Sequence, residues 1–399
     1  MNWKHLVTSI ALICATTAGT ALAAELSIEP MATTQVGANY EHRIWATTTS
    51  GPLAAFSQAD NSWRSIRGDV RGGVAAVSFL VDDTPHERVF VPGDVGITDT
   101  TLSNLSITQS RTLNANTGES FSGSYVGIIH HQHRLFVAAI STTGKLCVWM
   151  GQETSALIQI YCSGEGMADP LSAIAEKSYN QKVFFFRGQS GSLHALHISP
   201  FESPWGTLYF ANDHDIGVPP ATTSIGPAVA RYHHAAANRD HIAVVANNRL
   251  WVARYRASDM SVSWDSLGAP PTPPKAHRSA LHMDGTWYTS FTSDRTHCST
   301  LITVIGQNGD LYFTSGKSST FPTAACSDSS YSGNAWQTYQ RLGLGRWTSN
   351  ISTTTHQSGA FRWIKHYAMN QLLFGWPHLR VTGNLMEYTP NGWESRGNP

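Results

Sequence analysis

One short pattern recurs along the whole chain and limits what the chain can fold into. Its fullest copy opens at Lys182-Val183-Phe184-Phe185-Phe186, an apolar run too short for a helix and rich in aromatic and β-branched residues. Gly188 to Gly191 follows as turn chemistry, then a second strand at Leu193 to Ile198. Pro200 and Pro204 read as breaks, and Trp205 to Phe210 as a third strand. The first strand recurs at Arg43-Ile44-Trp45, Arg88-Val89-Phe90, Arg134-Leu135-Phe136, His241 to Val245, Leu301 to Ile305 and Leu372 to Phe374. The apolar position after each turn falls at Leu53, Val95, Leu146, Leu193, Leu250, Leu311 and Leu385, at spacings of 42 to 74 residues. One four-stranded propeller blade takes about 40–50 residues.

A closing element also repeats: Trp63-Arg64-Ser65-Ile66-Arg67-Gly68, Trp264-Asp265-Ser266-Leu267-Gly268, Trp336 to Gly343, and Trp393-Glu394-Ser395-Arg396-Gly397. Small-residue strands precede the units, among them Val74 to Phe79, Ser124 to Ile129, Ser172 to Ala175, Gly226 to Ala230, Ser279 to Leu281 and Ser358 to Phe361. Small side chains suit the crowded axis of a toroid. The expectation is an all-β chain, a seven-bladed β-propeller of four-stranded antiparallel blades. Residues 24–399 form its single domain, with Pro219-Pro220 and Pro270 to Pro274 as connectors between blades.

Residues 1–23 read as a secretory signal peptide, with Lys4 as the positive region, a short apolar core from Leu6 to Ala15, and Ala21-Leu22-Ala23 as the cleavage site. The core is too short to span a bilayer, so secretion without membrane insertion is expected, extracellular or periplasmic. The remaining cysteines are Cys147, Cys162, Cys298 and Cys326, an even number for an oxidising compartment. Pairing within units, Cys147–Cys162 and Cys298–Cys326, is expected over the two other connectivities. No Cys-x-x-Cys pair supports zinc, and no metal or cofactor is expected. Lys+Arg and Asp+Glu are both 27, which leaves no net field to draw nucleic acid.

The order small-residue strand, Arg-Leu-Phe-Val strand, Gly-x-Leu turn and Trp-x-Ser-x-x-Gly close resembles the repeat of the bacterial seven-bladed propeller lectins, the Photorhabdus-type fucose-binding lectin repeat family. The segments Pro227 to Gly268 and Gly383 to Gly397 carry it most clearly. The resemblance implies a lectin-like, secreted carbohydrate-binding protein with several shallow inter-blade sites for glycans, including fucosylated or methylated sugars. It places an aromatic or histidine just after the Gly-x-Leu turn. That place holds Trp251, Tyr312 and His194 in three units, and Cys147, Ala54 or Met386 elsewhere.

The sugar-binding candidates are therefore Trp251, Tyr312 and the closing tryptophans Trp264, Trp336, Trp205 and Trp393, whose indole faces suit the C–H faces of a pyranose. Trp63 belongs to the same series. The competing reading of each is packing between blades. A second function class rests on two histidine clusters, His130-His131-x-His133 and Tyr232-His233-His234. On a strand, His131 and His133 would share a face. Arg231, Tyr232, His233 and His234 can supply the carboxylate neutralisation and proton abstraction of a polysaccharide lyase acting on uronate-containing glycans. Surface polar residues at a turn are the plainer reading. The motifs of sialidases, serine hydrolases and zinc proteases are absent.

Overall fold

Short apolar runs, many of them buried on both faces, punctuated by Gly, Asn and Asp at turns, yield strands throughout a computed structural model of the chain. The structure describes residues 31–36, 41–48, 51–68, 72–115, 118–177, 182–203, 206–234, 239–289, 296–317, 337–338, 345–347, 352–358, 361–373, 381–389 and 392–396. The first blade comprises β1 (Ala32–Val36), β2 (Glu41–Thr47), β3 (Leu53–Ser57) and β4 (Ser62–Arg67). The second holds β5 (Ala75–Val81), β6 (Thr84–Gly93), β7 (Gly96–Ser103) and β8 (Ser106–Leu113), and the third β9 (Val126–His131), β10 (Arg134–Ile140), β11 (Leu146–Gln152) and β12 (Ile158–Cys162). The fourth holds β13 (Ile174–Lys177), β14 (Lys182–Arg187), β15 (Leu193–Ser203) and β16 (Gly206–Gly217). The fifth has β17 (Val229–His234), β18 (Arg239–Ala246), β19 (Arg249–Arg256) and β20 (Ser261–Gly268). The sixth has β21 (Leu281–Thr289), β22 (Thr296–Ile305), β23 (Leu311–Lys317) and β24 (Gln337–Thr338). Each is an antiparallel meander in chain order, and the whole is an all-β propeller.

The expectation of seven like blades is corrected. Six sheets are regular four-stranded blades. The C-terminal sheet has five strands: β25 (Gly345–Trp347), β26 (Ser352–Ser358), β27 (Phe361–Leu373), β28 (Val381–Thr389) and β29 (Gly392–Ser395). Here β25 pairs with Asn370 to Leu372 and β26 with Phe361 to Tyr367, both on the edge of β27 away from β28. Ser358 and Phe361, the ends of a run read as an innermost strand, pair with each other where β26 meets β27. Gly383-Asn384-Leu385, read as a turn, lies inside β28.

Two further corrections concern turns. Val95 does not take the leucine position of the second blade: it is 78 % exposed at the tip of the β6–β7 turn, and the buried residue there is Ile97. Pro200 does not end pairing either. β15 runs through it to Ser203, with Pro200 opposite Tyr209.

The Trp-x-Ser-x-x-Gly close has a physical basis. In the first, fourth and fifth blades the register slips between Leu53/Ala54, Leu193/His194 and Leu250/Trp251. The extra residue on the outer strand is apolar each time: Ile66, Ile216 or Leu267. Gly217 and Gly268, just after the bulge, adopt φ of 90° and 76°, where a side chain would be strained. Cys147 and Cys162 face each other in register on β11 and β12 and form a disulfide. Cys326 and the side chain of Cys298 lie outside the described residues.

Arginines cross the seams between blades. Arg43 pairs with Glu87 of the second blade, both buried, and the carboxylate also accepts from Thr34 and from Trp45 Nε1 at 3.2 Å. Burial raises the Glu87 pKa, against the pull of Arg43 and these hydrogen bonds. Arg88, paired with Asp99 (Nε to Oδ1 2.7 Å), reaches the Glu153 carbonyl of the third blade at 2.9 Å. Arg134 donates to the Tyr209 hydroxyl of the fourth blade, and Arg231 of the fifth donates back to the Glu176 carbonyl of the fourth. At the ring's closure Trp63 packs on Phe56 and its Nε1 donates to the Arg396 carbonyl at 3.1 Å.

Removing one partner of a buried pair strands the other. Glu87→Ala should lower the unfolding free energy by about 3–5 kcal/mol, whereas Glu87→Leu combined with Arg43→Met should recover most of it. Urea denaturation of the three proteins measures this, and equal losses in single and double variants would remove the assigned coupling.

Candidate functional site

The seam between the fourth and fifth blades carries the best-organised surface feature. Its floor is an apolar cluster in which Val183, Phe185, Leu193 and Ala195 meet Ile242, Val244, Ala253 and Tyr255, with Trp251 and Trp264 packed at the edge. The strand alternation explains this placement. Trp251, Ala253 and Tyr255 share one face of β19, and Trp264 sits directly opposite Ala253 on β20. Both tryptophans therefore face the fourth blade, and both keep part of their rings exposed.

The facing wall is β16. Asn212 and His214 lie opposite His197 and Ala195, on the side turned to the fifth blade. His214 stacks on Tyr255 with ring centroids 5.9 Å apart and planes at 27°, and the Tyr255 hydroxyl bonds His197 Nε2 at 2.8 Å. Burial, with the charges of Asp240 and Asp259, pushes the Tyr255 phenol well above its usual range, so it remains a neutral donor. Trp264 thus lies on the face of the fifth blade turned towards the strand that carries Asn212 and His214. The Trp251 Nε1 is buried and finds no acceptor within the protein. A buried indole N–H without a partner costs about 1–3 kcal/mol.

Sequence reasoning missed Asn212 and His214. The sequence reading ends this strand at Phe210, whereas β16 continues to Gly217. The alternation Phe210, Asn212, His214, Ile216 was the available signal.

The other candidates fare differently. Tyr312 is buried, and its hydroxyl accepts from Asn308 Nδ2 at 2.8 Å, so its ring latches the turn and offers no open face. Trp205, Trp336 and the side chain of Trp393 lie outside the described residues. His194 faces the third blade and is fully engaged: Nε2 meets Ser192 Oγ at 3.1 Å, Nδ1 meets Asp213 Oδ2 at 2.9 Å, and the ring stacks on Phe186 at 5.5 Å. Burial alone would lower its pKa, but the Asp213 hydrogen bond and the charges of Asp213 and Asp215 raise it.

The histidine clusters do not assemble as expected. His131 ends β9, while His133 lies in a two-residue turn with Gln132, at φ of 61° and 48°, so the two do not share a strand face. Instead His130 and His133 flank Glu153, His133 Nδ1 at 3.1 Å from Oε2. Among the described residues no group of three His, Cys, Asp or Glu side chains suits a metal ion. For the lyase constellation, Arg231 is held by Asp240, with Nε to Oδ1 at 2.9 Å. Tyr232, His233 and His234 occupy β17, and their side chains lie outside the described residues.

Comparison with known proteins adds the fold. No family model matches, and no curated protein matches in sequence. The BP39L lectin from Burkholderia pseudomallei superimposes with a TM-score of 0.60 at 16 % identity, over 93 % of this chain and 99 % of that one. The WD40 domain of SCAP from fission yeast gives 0.51 at 8 % identity, over 93 % and 83 %. Aleuria aurantia lectin, solved with Fucα1-6GlcNAc, reaches 0.47 at 12 % identity over 78 % and 99 %, a likeness too weak to align site residues. Both a lectin and a WD40 domain thus share the propeller architecture, so the likeness speaks for the fold alone.

The Arg231 seam also supplies a pH signature. Burial pushes the Glu176 carboxyl up to about 7, against the pull of Arg231. Between the ordinary carboxylate range and pH 7 the folded chain therefore holds a proton that the unfolded chain has released, and stability falls as pH rises through that window. The melting temperature should drop from pH 5 to pH 8 by a few degrees more than that of Glu176→Gln. Parallel melting curves of the two proteins test this, and identical slopes would contradict it.

Proposed function

We propose that the chain is a carbohydrate-binding protein, lectin-like, whose sugar site is the groove between β16 and β20. The observation that carries this reading is the set of groups facing one another there. Trp264 is a half-buried indole on the face turned to the fourth blade, and Asn212 and His214 lie on the strand face turned to the fifth with amide and imidazole hydrogen-bonding groups. A pyranose needs this combination: an aromatic surface for its C–H face and fixed polar groups for its hydroxyls. The solved lectins sharing the propeller architecture are consistent with it, and methyl fucoside, the ligand bound to SapL1 lectin, is a reasonable first probe. Export through residues 1–23 is part of the same proposal.

The lyase reading finds less support. Arg231 is occupied by Asp240 and the Glu176 carbonyl, which leaves its guanidinium poorly placed to neutralise a uronate.

Trp264→Ala should weaken glycan binding by about 1–3 kcal/mol, the value of one stacking anchor. Isothermal titration with the tightest ligand from a glycan array provides the affinity, and the melting temperature provides the control. A steep fall in stability with unchanged affinity per folded molecule would make Trp264 a packing residue and sink the site.

A further inference from the structure

The groove does not end at Trp264. In the fourth blade β15 and β16 run for 11 and 12 residues, against 8 and 8 for their counterparts β19 and β20, so their hairpin projects past the fifth blade. On the projecting part Phe201 lies opposite Leu208, and Ser199 opposite Phe210. These residues share the strand face that carries Ala195, His197, Asn212 and His214 towards the fifth blade. Phe201, Leu208 and Phe210 are 51 %, 52 % and 56 % exposed, and the two phenylalanine rings meet edge to face at 5.5 Å. Across the seam Val262 sits opposite Tyr255 on the Trp264 face of β20, and Met260 occupies the adjoining turn, both exposed.

We infer that this end of the groove is a subsite for the apolar aglycone of an amphiphilic glycoside, one whose sugar lies on Trp264. The inference rests on the carbohydrate reading above. The order of groups along the seam supports it. Trp264, Asn212 and His214 mark the polar span of the seam, outside the buried Ala253 and Tyr255. Beyond that span every side chain named on the facing surfaces is apolar, apart from Ser199. A free sugar would leave those side chains in water, whereas a hydrocarbon tail continuing from the anomeric oxygen would cover them. An apolar patch continuous with a polar groove marks a ligand with the same division.

The test compares methyl and octyl α-L-fucoside, and methyl and octyl β-D-galactoside, all below their micellar concentrations. Titrations use the full-length protein, Phe210→Ser, and the double variant Phe201→Ser with Phe210→Ser. The substituted side chains are exposed, and a melting curve confirms folding. The expected result is an octyl glycoside bound about tenfold or more tighter than its methyl partner, since each buried methylene contributes ~0.8 kcal/mol. The serine variants should lose that gain and keep the methyl glycoside affinity. Equal affinities for methyl and octyl forms would overturn the aglycone subsite and leave the sugar site standing. An octyl preference that survives both substitutions would overturn the subsite as well. If no glycoside of either pair binds, the carbohydrate reading fails and the subsite falls with it.

Discussion

The seams between blades set the terms for the rest of this structure. Sheets arranged around an axis diverge as they run outwards, so each pair of neighbours encloses a wedge that must be filled or left open to solvent. Near the axis small residues such as Ala173, Ala175, Ala228 and Ala230 keep the wedge narrow. Farther out large side chains fill it: Phe185 against Tyr255, Phe121 against Trp149, Trp63 against Phe56. The arginines on the second strands of the first three blades add direction. Arg43, Arg88 and Arg134 each reach a polar group of the following blade, so the repeat encodes both a sheet and its attachment to the next. Burying Arg43 with Glu87 costs desolvation, and the pair is retained in a seam where a wrong neighbour would leave either charge unpaired.

Much of the fold was legible because the pattern is periodic. The Arg-apolar run, the glycine turn and the closing Trp-x-Ser element map onto the second, third and fourth strands of several blades, and the small-residue runs onto the innermost. What the pattern hid has physical causes. Val95 and Ile97 are both β-branched and flank the same turn, and composition alone does not say which one the hairpin tip exposes. Pro200 looks like a breaker in isolation, yet β15 and β16 pair through it. The C-terminal copy has the right words in a different arrangement, since Gly383 to Leu385 is strand and two short strands share one edge of β27.

The candidate site was half legible for the same reason. Trp251 and Trp264 stand at repeat positions, and the resemblance to propeller lectins points at both. Tyr312 stands at the equivalent position and yet is consumed by its own turn, because Asn308 and Asp310 lie within reach of its hydroxyl. His194 stands there too, with both ring nitrogens taken by Ser192 and Asp213. A repeat position fixes where a side chain points; its neighbours decide whether it is free to act. Asn212 and His214 show the converse, being outside any repeat signature and visible only once β16 is seen to run its full length.

The same wedge accounts for why a site should arise at the fourth and fifth blades in particular. A seam whose large side chains meet in the middle is closed. Here the fourth blade overshoots the fifth by its long hairpin, so Phe201, Leu208 and Phe210 have no opposing strand to pack against, while Val262 and Met260 face outwards from the shorter blade. The mismatch in strand length leaves these apolar side chains exposed on the longer hairpin. This seam carries an aromatic residue, two polar side chains and an exposed apolar stretch in sequence. A difference of three or four residues between neighbouring hairpins is therefore enough to leave apolar side chains exposed along a structural seam.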